Sequence, residues 1–106
     1  MAKRKVNKNR IPIKSPQDIK EMRVATETAS EILQATAKFI EAGKTTSEVD
    51  LYAAELIKEH NCISAFLGYR GFPGNICISP NEEVVHGIGS DRVIKDGDII
   101  SIDVGV

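Results

Sequence analysis

The 106 residues carry 42% hydrophobic and 27% charged side chains, a globular balance that excludes a disordered or low-complexity chain. Two cysteines and eight glycines exclude a dense disulfide scaffold and a collagen-like repeat, and no apolar run reaches the roughly 18 residues of a membrane helix. The net charge of −1 conceals a split: residues 1–10 hold five of the 14 basic side chains and no acid, while the rest of the chain is acidic.

Residues 1–12 are expected to be a basic, flexible extension ahead of one domain over 13–106. The tip is too poor in apolar groups to fold by burial. It reads either as a solvated tail or as a salt-sensitive contact for nucleic-acid phosphates such as those of ribosomal RNA. It has no apolar stretch behind its charges, so it does not look like a secretory signal, and a cytoplasmic location with reduced thiols is expected.

The first helix is signalled at Ser15-Pro16-Gln17-Asp18. Ser15 can cap free N–H groups, Pro16 fits the first helical position, and Asp18 complements the positive helix end. Ile19, Met22, Thr26, Ala29, Ile32 or Leu33, Thr36, Phe39 and Ile40 then recur at steps of three and four, one buried stripe ending near Gly43. Thr45 and Glu48 read as the capping box of a second helix, with Val49, Tyr52, Ala53, Leu56 and Ile57 on one face. The short link predicts a helix hairpin. His60, at the end of helix two, is read as a dipole-stabilising cap.

Beyond Asn61 the period changes. Gly68, Gly71, Pro73 and Gly74 mark a loop of specific shape. Residues 76–79, 84–88 and 99–106 are predicted as strands, with turns at Pro80-Asn81 and at 95–98. Helix, helix, then strands makes an α+β class with an antiparallel or mixed sheet. Ile100, Ile102, Val104 and Val106 share one apolar strand face that runs to the last residue. That predicts a piece of a longer protein, or a partner that completes the sheet.

Three features could carry chemistry. Asp103 lies within an apolar strand, where a carboxylate is either solvated on an open face or part of a site, with small Ser101 and Gly105 beside it. His86, between Val85 and Gly87, can donate to or accept from a substrate amide near neutrality, or be satisfied by a backbone carbonyl. Phe66, Tyr69, Phe72 and Cys77 surround the Gly-rich loop and could either cap the helix hairpin or line a pocket for an apolar, polarizable side chain such as Met.

Several stretches carry a family resemblance. They are Ile13–Arg23, Ser64–Tyr69, Gly71-Phe72-Pro73, Ile76–Ser79, Asn81–Ile88 and Asp96–Asp103, in order and at matching spacing. Over 13–106 the chain resembles the N-terminal half of the type I methionine aminopeptidases. The resemblance implies the first half of a pita-bread (creatinase/aminopeptidase) fold. It also implies a hydrolase that removes the initiator Met from nascent peptides. Two divalent metal ions per complete active site (cobalt, manganese, iron or zinc) would activate water and polarise the scissile carbonyl.

By position, Asp103 is implied as the first metal ligand and His86 as the catalytic, substrate-contacting imidazole. Tyr69, Phe72 and Cys77 are implied to line the Met pocket, with Phe66 at its edge. Asp103 is one of the family's five ligands, so the 106 residues alone are expected to be inactive. Implied partners are peptides with N-terminal Met, and the ribosome through the basic tip; no membrane and no specific DNA are expected. The alternative is a non-catalytic pita-bread protein that binds RNA or protein partners.

Overall fold

The computed structural model describes residues 5–106. Of the basic tip, residues 1–4 lie outside the described part. The chain from Lys5 to Ile13 doubles back on itself. Val6 bridges Pro12, Ile13 N–H donates to the Lys5 carbonyl at 2.7 Å, and the Asn7 side chain accepts from Asn9 and Ile11.

Helix α1 spans Pro16–Phe39. Ser15 accepts from Asp18 N–H at 3.1 Å while Asp18 accepts from Ser15 N–H at 2.9 Å, a complete capping box with Pro16 in the first turn. Helix α2 spans Thr46–Glu59, capped by Thr45, which accepts from Glu48 N–H. The two pack as the expected hairpin. Phe39 stacks on Tyr52 with ring centroids 4.0 Å apart, and Lys44 Nζ sits over the Phe39 ring.

The expected stripe of α1 is buried only in its C-terminal half. Ile32 and Thr36 are enclosed, whereas Ile19 and Met22 are exposed. Fourteen residues of α2 reach about 21 Å, against about 36 Å for the 24 of α1, so α2 covers one end of its neighbour.

Strands β1 (Cys77–Pro80) and β2 (Ile100–Asp103) pair antiparallel, Cys77 opposite Asp103 and Ile78 opposite Ile102. β1 has the predicted length, displaced by one residue, and β2 is shorter than the predicted 99–106. The strand expected over 84–88 is absent: that stretch is irregular, with His86 at φ 58° and Val84 and Val85 exposed. Its one backbone–backbone hydrogen bond to β1 is Ile78 N–H donating to the Gly87 carbonyl, and a left-handed residue does not continue a ladder. Segment 92–94 is instead bound to the interhelix link, through Gly43 N–H to Ile94 O and Ile94 N–H to Lys44 O, each 2.8 Å. Val49, Ala53, Ile76, Ile78 and Ile94 form the core, covered by Phe39, Ile40, Ile100, Ile102 and Val104. Each enclosed aliphatic side chain contributes about 1.5–3 kcal/mol by leaving water.

Candidate active site

The pairing of β1 with β2 sets Cys77 beside Asp103 in the wall of a cavity. The Gly-rich loop supplies the opposite wall. Ser64 Oγ donates to the Asn75 carbonyl at 2.6 Å and accepts from Phe66 N–H and Leu67 N–H, which pins both ends of the loop together. Gly68, at φ 82°, starts a single 3-10 turn over Tyr69–Gly71, in which Arg70 is also left-handed. Gly68 N–H then closes the loop on the Phe72 carbonyl. Gly105 faces Phe66 so closely that a Cβ there would lie 2.8 Å from the ring, so the segment just past β2 packs on the aromatic through glycine.

His86 is held by its neighbour. Gly87 N–H donates to Ser79 Oγ at 2.9 Å, and the Gly87 carbonyl accepts from Ile78. A Cβ on Gly87 would meet the Ile78 carbonyl oxygen at 2.1 Å, so only glycine fits against β1. The result projects the exposed His86 into the same cavity.

That cavity measures about 580 Å³ and is walled by Phe66, Tyr69, Arg70, Gly71, Phe72, Pro73, Cys77, His86 and Asp103. The structure therefore brings together all six residues singled out from the sequence. Burial pushes the Cys77 thiol up from its ordinary pKa, with the Asp103 and Asp50 charges adding to the effect. A thiol kept protonated is an apolar wall rather than a nucleophile or a metal-binding thiolate. His60 stands apart from the cavity, bonded to Leu56 and Glu31.

Besides Arg70 of the cavity wall, a supporting residue of this region has no counterpart among those singled out. Buried Asp50 of α2 accepts from Asn75 N–H (2.9 Å), Asn75 Nδ2 (2.9 Å) and Ile76 N–H (3.1 Å). The signal was a polar residue in register with Thr46, Ala53 and Ile57, on the face that α2 buries.

The sequence profile described as metallopeptidase family M24 matches residues 20–106. The chain belongs to metallopeptidase family M24. It is 45% identical over 98 residues to the methionine aminopeptidase of Escherichia coli K12, covering 91% of this chain and 37% of that protein. It is 47% identical over 92 residues to methionine aminopeptidase 1 of Bacillus subtilis 168, covering 87% and 37%. The crystal structure of methionine aminopeptidase from Rickettsia prowazekii superposes with a TM-score of 0.86 at 39% identity, over 89% of this chain and 38% of that one.

The fold is thus the α+β pita-bread type of the M24 aminopeptidases, of which the chain spans somewhat over a third of the length. Relatives named as peptidases give no support to a non-catalytic RNA- or protein-binding alternative.

Membership of a metallopeptidase family implies a divalent metal, and the residues can be tested for it. Asp103 is the one carboxylate in the cavity wall, and Cys77 favours its neutral form. Among the described residues no three His, Cys, Asp or Glu side chains converge as a ligand set. A bound divalent ion needs several such donors, so these residues do not by themselves fit one. Among the same residues no helix is long and apolar enough to cross a membrane.

Proposed function

We propose that the full-length protein removes N-terminal Met from nascent peptides by metal-assisted hydrolysis, and that these residues form its Met-selecting wall. The observation that carries this is a single cavity in which aromatic and thiol groups lie beside an imidazole and a carboxylate. The unbranched Met side chain, with its polarizable sulfur, suits Phe66, Tyr69, Phe72 and the neutral Cys77 thiol. His86, at the cavity rim, is positioned to hydrogen-bond the scissile amide and steady its carbonyl as charge develops.

Asp103 is the carboxylate these residues contribute toward the two divalent ions (cobalt, manganese, iron or zinc) of a complete site. Further donors are required from elsewhere in the full-length protein. The 106 residues alone should accordingly release no Met. In the full-length protein, Asp103→Asn should lower Met release from Met-Ala-Ser by about 10² or more, measured with added cobalt or manganese. A wild-type rate in that variant would remove Asp103 from the chemistry.

The setting consistent with this activity is the cytoplasm, at the ribosome. The basic tip would there meet RNA phosphates. Deleting residues 1–10 should weaken co-sedimentation with ribosomes at low salt and leave hydrolysis of short peptides unchanged; undiminished co-sedimentation would leave the tip as a solvated tail.

A further inference from the structure

We infer that Asp50 is a positioning residue for the methionine pocket: a carboxylate clamp on α2 that fixes where Phe72 and Cys77 stand. The inference rests on the reading of the cavity as the Met pocket. Asp50 Oδ1 accepts the consecutive N–H groups of Asn75 and Ile76 at 2.9 and 3.1 Å, and Oδ2 accepts from Asn75 Nδ2 at 2.9 Å. Those two residues join the Gly-rich loop to β1, with Phe72 three positions before Asn75 and Cys77 two after it.

Nothing regular holds this join, since the strand ladder begins only at Cys77. The second pocket-bearing segment leans on the same side chain. A Cβ on Gly89, three residues past His86, would lie 3.1 Å from Asp50 Cβ. A Cβ on Gly74 would lie 3.0 Å from Phe72 Cε1 and 3.3 Å from Asp50 Oδ1, so clamp, glycine and pocket ring are in direct register.

A buried acceptor with three donors fixed by geometry transmits its position to them, because leaving any of those N–H groups unpaired is costly. Asp50 touches no substrate in this arrangement. It acts through the walls.

The test uses the full-length protein and a reciprocal exchange. Asn75→Asp sets a carboxylate against the Asp50 carboxylate across a 2.9 Å contact and should open the clamp. In Asp50→Asn/Asn75→Asp the amide at position 50 accepts the same two backbone N–H groups and donates to the carboxylate at position 75, which should close it again.

The single variant should raise KM for Met-Ala-Ser about tenfold with kcat held within about twofold, and should speed alkylation of Cys77 by iodoacetamide about tenfold. The double variant should return both readouts to near wild type. Wild-type KM and alkylation in Asn75→Asp, or a double variant no better than the single, would overturn the clamp.

If Asn75→Asp loses its helical circular dichroism, Gly74→Ala decides instead. It should raise KM and Cys77 alkylation together, and unchanged values would overturn the inference. Should the wild-type protein release no Met at all, the peptidase reading fails, while the alkylation comparison still decides whether Asp50 sets the position of Cys77.

Discussion

His86 stands in the left-handed region at φ 58° and points into the cavity because Gly87 is pressed onto β1. A positive φ outside glycine costs about 1–3 kcal/mol unless its surroundings enforce it, and here Ser79 Oγ and the Ile78 N–H do so. Gly87→Ala is therefore expected to lose both hydrogen bonds and to destabilise the full-length protein by roughly 2–4 kcal/mol in urea unfolding. A midpoint unchanged from wild type would show that the contact can relax freely.

At this scale the sequence was informative about chemistry and poor on support. Phe66, Tyr69, Phe72 and Cys77 could be read as one cluster around the loop, and His86 and Asp103 as separate candidates. Only the family resemblance implied that all six share a site, since their convergence depends on the β1–β2 register and on a loop closed by Ser64. Asp50 escaped because one carboxylate on an otherwise apolar helix face looks like the edge of the stripe. Its three partners lie 25 or 26 residues further along the chain.

Among the elements, the helices were legible and one strand was not. Caps are local: Ser15 with Asp18 and Thr45 with Glu48 act within four residues, so the sequence contains the whole interaction. The apolar run Val84-Val85-His86-Gly87-Ile88 has strand composition, but composition does not report that Val84 is 81% exposed or that His86 turns the backbone over.

The end of α2 also ties back to α1. Nδ1–H of His60 donates to the Leu56 carbonyl at 2.8 Å, and Nε2 lies 3.2 Å from a Glu31 carboxylate oxygen. Satisfying both acceptors takes the imidazolium. The Leu56 carbonyl first, and the Glu31 carboxylate after it, raise the His60 pKa above its ordinary 6.5. A pKa raised by folding gives stability that is complete below about 6.5 and fades as pH rises through the raised value. The pair is solvent-exposed and salt-screened, so the effect is small. Glu31→Gln should lower the melting temperature by about one or two degrees at pH 6 and by nothing measurable at pH 9. An equal loss at both pH values would assign Glu31 a role unrelated to His60.

At the scale of the molecule, the described residues are extended for their number, with a radius of gyration of 16.4 Å against about 13 Å for a compact chain of this size. The extension follows from α1, whose N-terminal half projects beyond α2 with Ile19, Met22 and Val24 exposed. Around the other end, the loop, the two strands and the His86 segment enclose one cavity, and under the proposed function its shape would select the first residue of the substrate. A pocket of aromatic and thiol walls discriminates by fit, and each methylene or sulfur it encloses is worth about 1–3 kcal/mol in relative kcat/KM. The most direct measurement is the ratio of kcat/KM for Met-Ala-Ser over Val-Ala-Ser in the metal-loaded full-length protein. The account predicts a ratio of about ten or more in wild type that falls toward one in Phe72→Ala. A ratio near one in wild type, or one that Phe72→Ala leaves untouched, would contradict it.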